Sequence, residues 1–536
     1  MTYAPAHPDS APSAATIPTV SGLIARQAES APDRTALKFE GESLNYAALA
    51  DMVMRTAAAL HADGVREGHH IAYLGKNHPA YFVLLYAAAR LGAVMVPISW
   101  RLAEPEIEYI LADTGAALLF ADAAMAQTAA SVGLRLPFLQ KIATLAGGGR
   151  AAGLADYIEQ VGANHEVPPI DRPDTVFLQL YTSGTTGRPK GVMLTARNIF
   201  AMRVRCAEAG IEWDLWGDDE VALIAMPISH IGGTGYGLMA LYHGASGLVV
   251  REFSPEIVLE SIRDERVSKF FIVPTALQIL VRHPEARTTD FSRVRHILYG
   301  ASPMPLPLLK EAIEVIGAGL VQQYGMTETA GTVVALGAED HDPEGNRRMT
   351  SAGKALPGVE IRIVDDAGEI LPAGAIGEIL VRSDANMHGY WHLPEATAHT
   401  VDSENWLRTG DAGYLDDDGY LFICDRVKDM VCSGGENVYP AEVEAVLYGH
   451  PSVAEAAVIG VPDAKWGEAV KAIIVPKAGR AIDEAELIAF ARASLAAFKA
   501  PKSIDFVDAL PRNASGKVLK KNLREPYWQG FDRRVN

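Results

Sequence analysis

Cysteine is scarce in this 536-residue chain: Cys206, Cys424 and Cys432 are the only three, and no C-x-x-C pair occurs. An odd, widely spaced set excludes a disulfide framework and a cysteine-built zinc site. It suits a reducing compartment, so the cytoplasm is the expected location. The 15 histidines include no H-E-x-x-H pattern, and the adjacent His69 and His70 read as turn residues rather than a metal pair. Basic residues are outnumbered, 48 against 66 acids, for a formal net charge of −18. That balance argues against a general nucleic-acid binder, while a local basic groove for a small anion stays open. Long apolar runs are missing too. "FVLLYAAARLGAVMVPISW", residues 82–100, comes nearest, but Arg90, Gly92 and Pro97 interrupt it. It reads as a buried helix, a turn and a strand, not a membrane span. Residues 1–20, rich in Ala, Pro, Ser and Thr, lack the basic and apolar regions of a signal peptide and read as a disordered tail. The closing "DRRVN" matches no targeting or lipidation signal. No internal repeat is visible. A chain of this length, 49% hydrophobic, can build a large core over several domains without disulfide staples.

The middle of the chain alternates strand-like and helix-like pieces. "HIAYLG" precedes an apolar helix from about Pro79 to Leu91, then "AVMVPI". Later come "EVALIAMP", "SGLVVREF", a helix opened by Ser254-Pro255-Glu256, "KFFIVPT", "RVRHILYG", a helix from near Pro305 and "GLVQQYG". Ser254 suits an N-cap and Pro255 the first helical position. This is the βαβ pattern of a buried, largely parallel sheet, whose ligands collect in the loops after the strands. From about Gly353 short alternating strands with Gly and Asp turns predict a β-rich subdomain. Beyond "CDRVKDMVCSGGENVYP", residues 424–440, the pattern is a compact α+β unit, with an amphipathic run near 483–498. Residues 121–165 are Ala- and Gly-rich and predict nothing definite. The fold class expected is α/β: a large N-terminal domain, 21–426, of doubly wound βαβ subdomains plus the β-rich piece, and a small C-terminal domain, 427–536.

The stretch "YTSGTTGRPKGV", residues 181–192, follows the strand-like "TVFLQL". Its glycines let backbone N–H groups approach an anion, its hydroxyls donate hydrogen bonds, and Lys190 adds charge. It is neither a Walker A loop nor a G-x-G-x-x-G turn, and a flexible surface turn is its ordinary alternative. Four more segments share this composition: "QQYGMTET" (322–329), "LRTGDAG" (407–413), which places Asp411 in a tight turn, "DRVKDM" (425–430), and "PRNASGKVLKK" (511–521), which puts Lys517 on a glycine-containing loop. Singly, each has an ordinary reading as turn chemistry or solvated charge.

Together and in this order, the five segments resemble the adenylate-forming superfamily of acyl- and aryl-CoA synthetases, nonribosomal adenylation domains and beetle luciferases. The resemblance runs from about residue 20 to 525. It implies that Thr182, Ser183, Gly184, Thr185, Thr186, Gly187 and Lys190 form a mobile loop around the β- and γ-phosphates of ATP. Attack of a carboxylate on the α-phosphorus joins two anions, so the site must neutralise charge and align the reactants. By resemblance Lys517 bridges carboxylate and α-phosphate, Thr327 binds the α-phosphate, and Glu328 holds Mg²⁺, an ion suited to one carboxylate plus phosphates and waters. Tyr324 stacks on adenine with Gly300, Ala301 and Ser302 along the base, and Asp411 accepts from the ribose with help from Arg426. Gln323, Gly325, Met326 and Ile423 complete the implied nucleotide set. A second reaction with coenzyme A follows rotation of a mobile C-terminal domain about Lys428. That rotation brings in "SGGEN", 433–437, where Gly434 and Gly435 let backbone approach the thioester-forming atoms; a plain turn is their alternative.

Within the superfamily, "MPISHIGGTGYG", residues 226–237, lacks the acid that amino-acid-activating members use, and His230 matches a position beside the carboxylate in the CoA-ligase branch. The chain also leaves no room for a carrier domain after Lys517. The implied acyl pocket is walled by 229–233, 300–302, Gly325 and 330–334, with Gly232, Gly233 and Gly235 making room. No charged partner for a distal group is evident, so an apolar tail is expected: a medium- or long-chain, branched, cyclic or aryl-alkanoic acid. The expected partners are that acid, ATP and CoA, with a second copy of the chain in a homodimer, and neither nucleic acid nor a membrane span. Three rivals stand beside a CoA ligase: an enzyme loading a separate carrier protein, a non-catalytic binder on the same scaffold, and, more distantly, a luciferase-like oxygenase.

Overall fold

The structure is a computed structural model that describes residues 17–145, 152–163, 165–182, 188–426, 429–433, 436–463, 465–480, 482–513 and 517–529. Ser183, Gly184, Thr185, Thr186, Gly187, Lys428, Gly434 and Gly435, to which the resemblance assigns roles, lie outside the described residues.

The first sheet contains β1 (His70–Gly75), β2 (Val94–Ser99), β3 (Val176–Thr182) and β4 (Lys190–Thr195). Its order is Gly389–Tyr390, β4, β3, β2, β1, Leu118–Asp122, Lys141–Leu145. β1, β2 and β3 run parallel, and β4 turns back antiparallel to β3. The run at 82–100 resolves as the sequence predicts. Helix α1 (Pro79–Arg90) ends before Gly92, whose φ of +64° suits a residue without a side chain, and β2 follows. Every residue from Pro79 to Ala89 is buried, because α1 touches strands of both large sheets. Among the described residues no helix is long and apolar enough to cross a membrane.

The expectation for His70 is corrected. It is a buried strand residue of β1, not a turn residue. Its Nε2 lies 3.0 Å from Gln179 Oε1, and its ring meets Trp391 edge-on at 4.5 Å. That partner lets a polar ring enter the sheet. The Ala- and Gly-rich stretch 121–165, whose sequence predicts nothing definite, yields a helix at Ala126–Gly133, the strand Lys141–Leu145 and a helix at Ala152–Val161.

The second sheet carries β5 (Val221–Ile224), β6 (Lys269–Ile272), β7 (His296–Gly300), β8 (Gly319–Met326) and β9 (Gly331–Leu336). β5 to β8 are parallel neighbours in the order β5, β6, β7, β8, and β9 folds back antiparallel. The connecting helices include α2 (Ile231–Tyr242), α3 (Pro255–Asp264) and α4 (Leu306–Ile316). α3 starts where its sequence predicts: Ser254 Oγ accepts from Ile257 N at 3.1 Å, with Pro255 in the first turn.

A third, antiparallel sheet of four strands includes β10 (Trp406–Leu415) and β11 (Leu421–Arg426). It is the β-rich piece expected after Gly353. The fourth sheet contains β12 (Val431–Ser433), β13 (Val453–Asp463) and β14 (Gly467–Pro476). With α5 (Pro440–Tyr448) it encloses a core of its own around Val443, Leu447, Val458, Val470 and Ile474. Asp425, at the end of β11, accepts from Ala441 N at 2.8 Å and faces Lys520 Nζ at 3.5 Å, which tethers this unit to the third sheet.

Candidate active site

The site forms where the parallel strands of the second sheet end. β7 stops at Gly300, and a Cβ there would sit 2.2 Å from Gln323 O on β8, so the two backbones meet at a distance only glycine allows. Ala301 follows with φ +69°. Gly325 is tighter, since its Cβ would lie 1.8 Å from Gly331 O on β9. These contacts press Gly300, Ala301, Ser302, Gln323, Tyr324, Gly325 and Met326 into one ledge. Gln323 Oε1 accepts from Thr332 Oγ1 at 3.0 Å, which anchors the far side of that ledge.

Tyr324 reaches the third sheet, where its O–H donates to Asp411 Oδ2 at 2.8 Å. Arg426 Nε lies 2.9 Å from the other carboxylate oxygen. Asp411 and Arg426 are register partners on β10 and β11, and Ile423 pairs with Gly413 on the same ladder. Asp411 therefore belongs to a strand and not to the tight turn expected. Gly410, with φ +69°, makes the bend, and the ladder resumes directly after it. Burial raises the Tyr324 phenol well above its usual range, and Asp411 holds the Arg426 guanidinium charged.

β8 runs into a single 3₁₀ turn, Thr327–Thr329, which puts Thr327 and Glu328 at its tip. Thr329 Oγ1 accepts from Met326 N at 2.9 Å and donates to Gly331 O at 2.8 Å, closing the turn. Glu328 is buried, and Tyr390 donates its O–H to Oε1 at 2.9 Å. Lys190 Nζ sits 4.7 Å over the same tyrosine ring. Lys190 also pairs in register with Thr182, so both described ends of the glycine-rich loop stand next to the Glu328 turn. Sequence reasoning missed Tyr390; a lone aromatic 62 residues after Glu328 carries no spacing signal. Among the described residues no group of three or more His, Cys, Asp or Glu could hold a metal. A hard oxygen donor, Glu328, beside a hydroxyl, Thr327, fits a Mg²⁺ ion that takes its remaining ligands from substrate phosphates and water.

A family model described as "AMP-binding enzyme" matches residues 24–391, and one for the AMP-binding enzyme C-terminal domain matches 442–517. The chain belongs to the AMP-binding enzyme family. It is an AMP-forming acid–thiol ligase of the acyl-CoA synthetase branch, whose members use ATP, Mg²⁺ and CoA. It is 42% identical over 510 residues to a feruloyl-CoA synthase of Amycolatopsis sp, covering 94% of this chain and 98% of the relative. It is 40% identical over 509 residues to a fatty acid–[acyl-carrier-protein] ligase of Streptomyces coeruleorubidus, covering 95% and 96%. The ATP-bound MatB from Rhodopseudomonas palustris has the same fold. Its TM-score is 0.85 at 32% identity, covering 96% of this chain and 100% of that one.

His230 occupies the N-cap position of this ligase's α2, and the adjacent Ile231 reaches the β8–β9 turn, 3.6 Å from where a Gly331 Cβ would sit. His230 Nε2 is buried without a partner among the described residues. Burial, reinforced by Arg101, pushes the ring down to about 4, so it is neutral at physiological pH. The glycines beside it do not open a cavity as expected. A Gly233 Cβ would strike the backbone oxygens of Pro227 and Met226 at 2.2 and 2.5 Å. That of Gly232 would meet Phe271 Cε1 at 2.7 Å, and that of Gly235 would meet Ile231 at 3.1 Å. The space is taken by the chain itself, so these glycines serve close packing of α2. Lys517 is exposed and rides on the fourth-sheet unit; its N–H donates to Asn513 Oδ1 at 2.9 Å.

Proposed function

We propose that this ligase activates an apolar carboxylic acid as its acyl-adenylate and transfers the acyl group to coenzyme A. The acid's carboxylate oxygen attacks the α-phosphorus, the bond to pyrophosphate breaks, and the acyl-adenylate forms. The thiol sulfur then attacks the acyl carbon, AMP leaves, and the thiol proton is lost. Mg²⁺, when bound, neutralises phosphate charge. The observation that carries this reading is the pairing of two clusters at the end of β8: Tyr324, Asp411 and Arg426 on one side, Thr327, Glu328 and Tyr390 on the other.

In this reading Tyr324 flanks the adenine together with Gly300, Ala301 and Ser302, and Asp411 and Arg426 hold the ribose. Thr327 donates to the α-phosphate and Glu328 takes the metal. Lys190 serves the outer phosphates, and Lys517 neutralises the charge between carboxylate and α-phosphate. His230, neutral through burial, lies against the carboxylate without drawing it into an ion pair. Residues 427–536 turn as a unit about Lys428 between the two half-reactions, replacing Lys517 by the segment at 433–437.

Pyrophosphate release with ATP and Mg²⁺ over short, medium and long fatty acids, benzoates, cinnamates, arylpropionates and amino acids tests the proposal, each run with and without CoA. Acid-dependent release sustained by CoA, with acyl-CoA formed, is expected. Slow release indifferent to CoA but accelerated by a holo-carrier protein would assign the acceptor to a carrier instead. No release with any acid would overturn the catalytic reading.

A further inference from the structure

Beside α2 lies a buried group of polar atoms to which the proposed reaction gives no role. Trp216 Nε1, Tyr236 OH, His243 Nε2 and Asp214 Oδ2 are all buried without a hydrogen-bond partner among the described residues. They are neighbours. The Trp216 ring centroid is 6.2 Å from that of Tyr236 and 6.2 Å from that of His243, and His243 Nε2 is 4.0 Å from Asp214 Oδ2. Tyr236 is 6% exposed and Asp214 fully buried, so bulk water does not satisfy them. Each orphaned group carries a desolvation penalty that a bound polar atom would relieve.

The group adjoins the face of α2 that begins beside His230. Gly232 and Tyr236 are four residues apart on α2 and share a face. Phe271, packed on Gly232, is two residues from Lys269 on β6, and Lys269 Nζ sits 4.5 Å over Trp216. From His230 to Tyr236 the helix rises about 9 Å. An acid whose carboxylate lies at His230 therefore reaches the Phe271–Gly232 contact first and the polar group behind it.

The full charges there are already matched: Arg203 pairs with Asp214, and both Lys269 and Arg295 pair with Glu220. A charged tail would find no counter-ion and would be costly to bury. Trp216 Nε1 can only donate, whereas Tyr236 OH can donate or accept. A neutral hydroxyl or carbonyl oxygen meets both requirements.

Resting on the ligase reading above, we propose that Tyr236 and Trp216 select acids carrying a neutral oxygen at the end remote from the carboxylate, with Phe271 as the partition the tail displaces. The test measures kcat/KM for pyrophosphate release on two acid pairs: 4-hydroxycinnamate against cinnamate, and 3-(4-hydroxyphenyl)propanoate against 3-phenylpropanoate. Wild type is expected to favour the oxygenated member by about tenfold or more, because a site built to hydrogen-bond an oxygen rejects the analogue lacking it. Tyr236→Phe, nearly isosteric, and Trp216→Phe should each bring the ratio towards one. Release from both members at a ratio that neither variant changes overturns the selection and leaves the ligase standing. No release with any acid overturns the ligase reading, and calorimetric titration of the same pairs then decides selection, with equal affinities overturning it.

Discussion

Tyr390 holds Glu328 by a hydrogen bond of 2.9 Å while its ring lies under the Lys190 ammonium, so one aromatic side chain spans the proposed metal carboxylate and the lysine proposed to serve the outer phosphates. Tyr390→Phe keeps the ring and the cation–π contact but removes the donor. A buried carboxylate that loses a hydrogen bond costs about 1.5–3 kcal/mol. The expected outcome is a several-fold rise in the Mg²⁺ concentration for half-maximal pyrophosphate release, with a modest fall in Tm. Chelation by EDTA should abolish release in both proteins. A Mg²⁺ titration of wild type and variant checks this, and superimposed curves would remove Tyr390 from the metal site.

Asp411 bridges Tyr324 and Arg426, each through a different carboxylate oxygen. Asp411→Asn keeps the shape and removes the charge. Because the proposed ribose contact exists before and during the reaction, its loss should act mainly on binding. The KM for ATP should rise about tenfold or more with a smaller change in kcat. Steady-state kinetics with ATP varied would show it, and a pure kcat effect would count against a ribose role.

Much of this arrangement could be read from the sequence because it is local. The buried helix, turn and strand of residues 82–100 follow from neighbouring residues, whereas the contacts that bar side chains at Gly300 and Gly325 come from Gln323 O and Gly331 O on other strands, and those two positions are implied by the family resemblance. The helix starting at Pro255 follows from Ser254 and Pro255 alone. What escaped detection is non-local. Tyr390 acts on Glu328 across 62 residues, and His70 is a strand residue because Gln179, 109 residues on, satisfies its ring. Asp411 has turn-like neighbours, but its cross-strand partner Arg426 decides its geometry. The glycines after His230 gave the opposite error. Composition shows that they are small, and only the positions of Phe271 and the Pro227 carbonyl show that the chain fills the space itself.

Four buried histidines make stability depend on pH. Burial pushes His78, His230 and His296 down to about 4 and His243 to about 3, from an ordinary value near 6.5. Between pH 6.5 and 4 the unfolded chain binds protons that the folded chain refuses, so stability should fall as pH falls across that window. Each histidine contributes up to about 1.4 kcal/mol per pH unit. Asp214, raised by burial to about 6, works in the opposite direction and offsets part of one histidine. Thermal melts from pH 8 to 4.5 should show a flat Tm above about pH 7 and a steepening decline below it. His243→Gln should make that decline shallower, and an unchanged slope would exclude a buried neutral imidazole at that position.

Lys517 rides on the C-terminal unit, whereas Thr327, Glu328 and Asp411 are carried by the second and third sheets. If the C-terminal unit presents this lysine only for adenylation, the two half-reactions should separate cleanly. Lys517→Ala removes the cation proposed to offset repulsion between carboxylate and α-phosphate, a preorganised contact of the kind worth about 10²–10³ in rate. Adenylation, followed by pyrophosphate release in a single turnover, should fall by that factor. Thioester formation from a supplied acyl-adenylate and CoA needs no such cation and should stay within a few-fold of wild type. Circular dichroism should confirm that the variant folds, which an exposed side chain makes the expected result. Equal losses in both half-reactions would mean that Lys517 also serves the thiol step, and the division of labour between two orientations of residues 427–536 would then have to be abandoned.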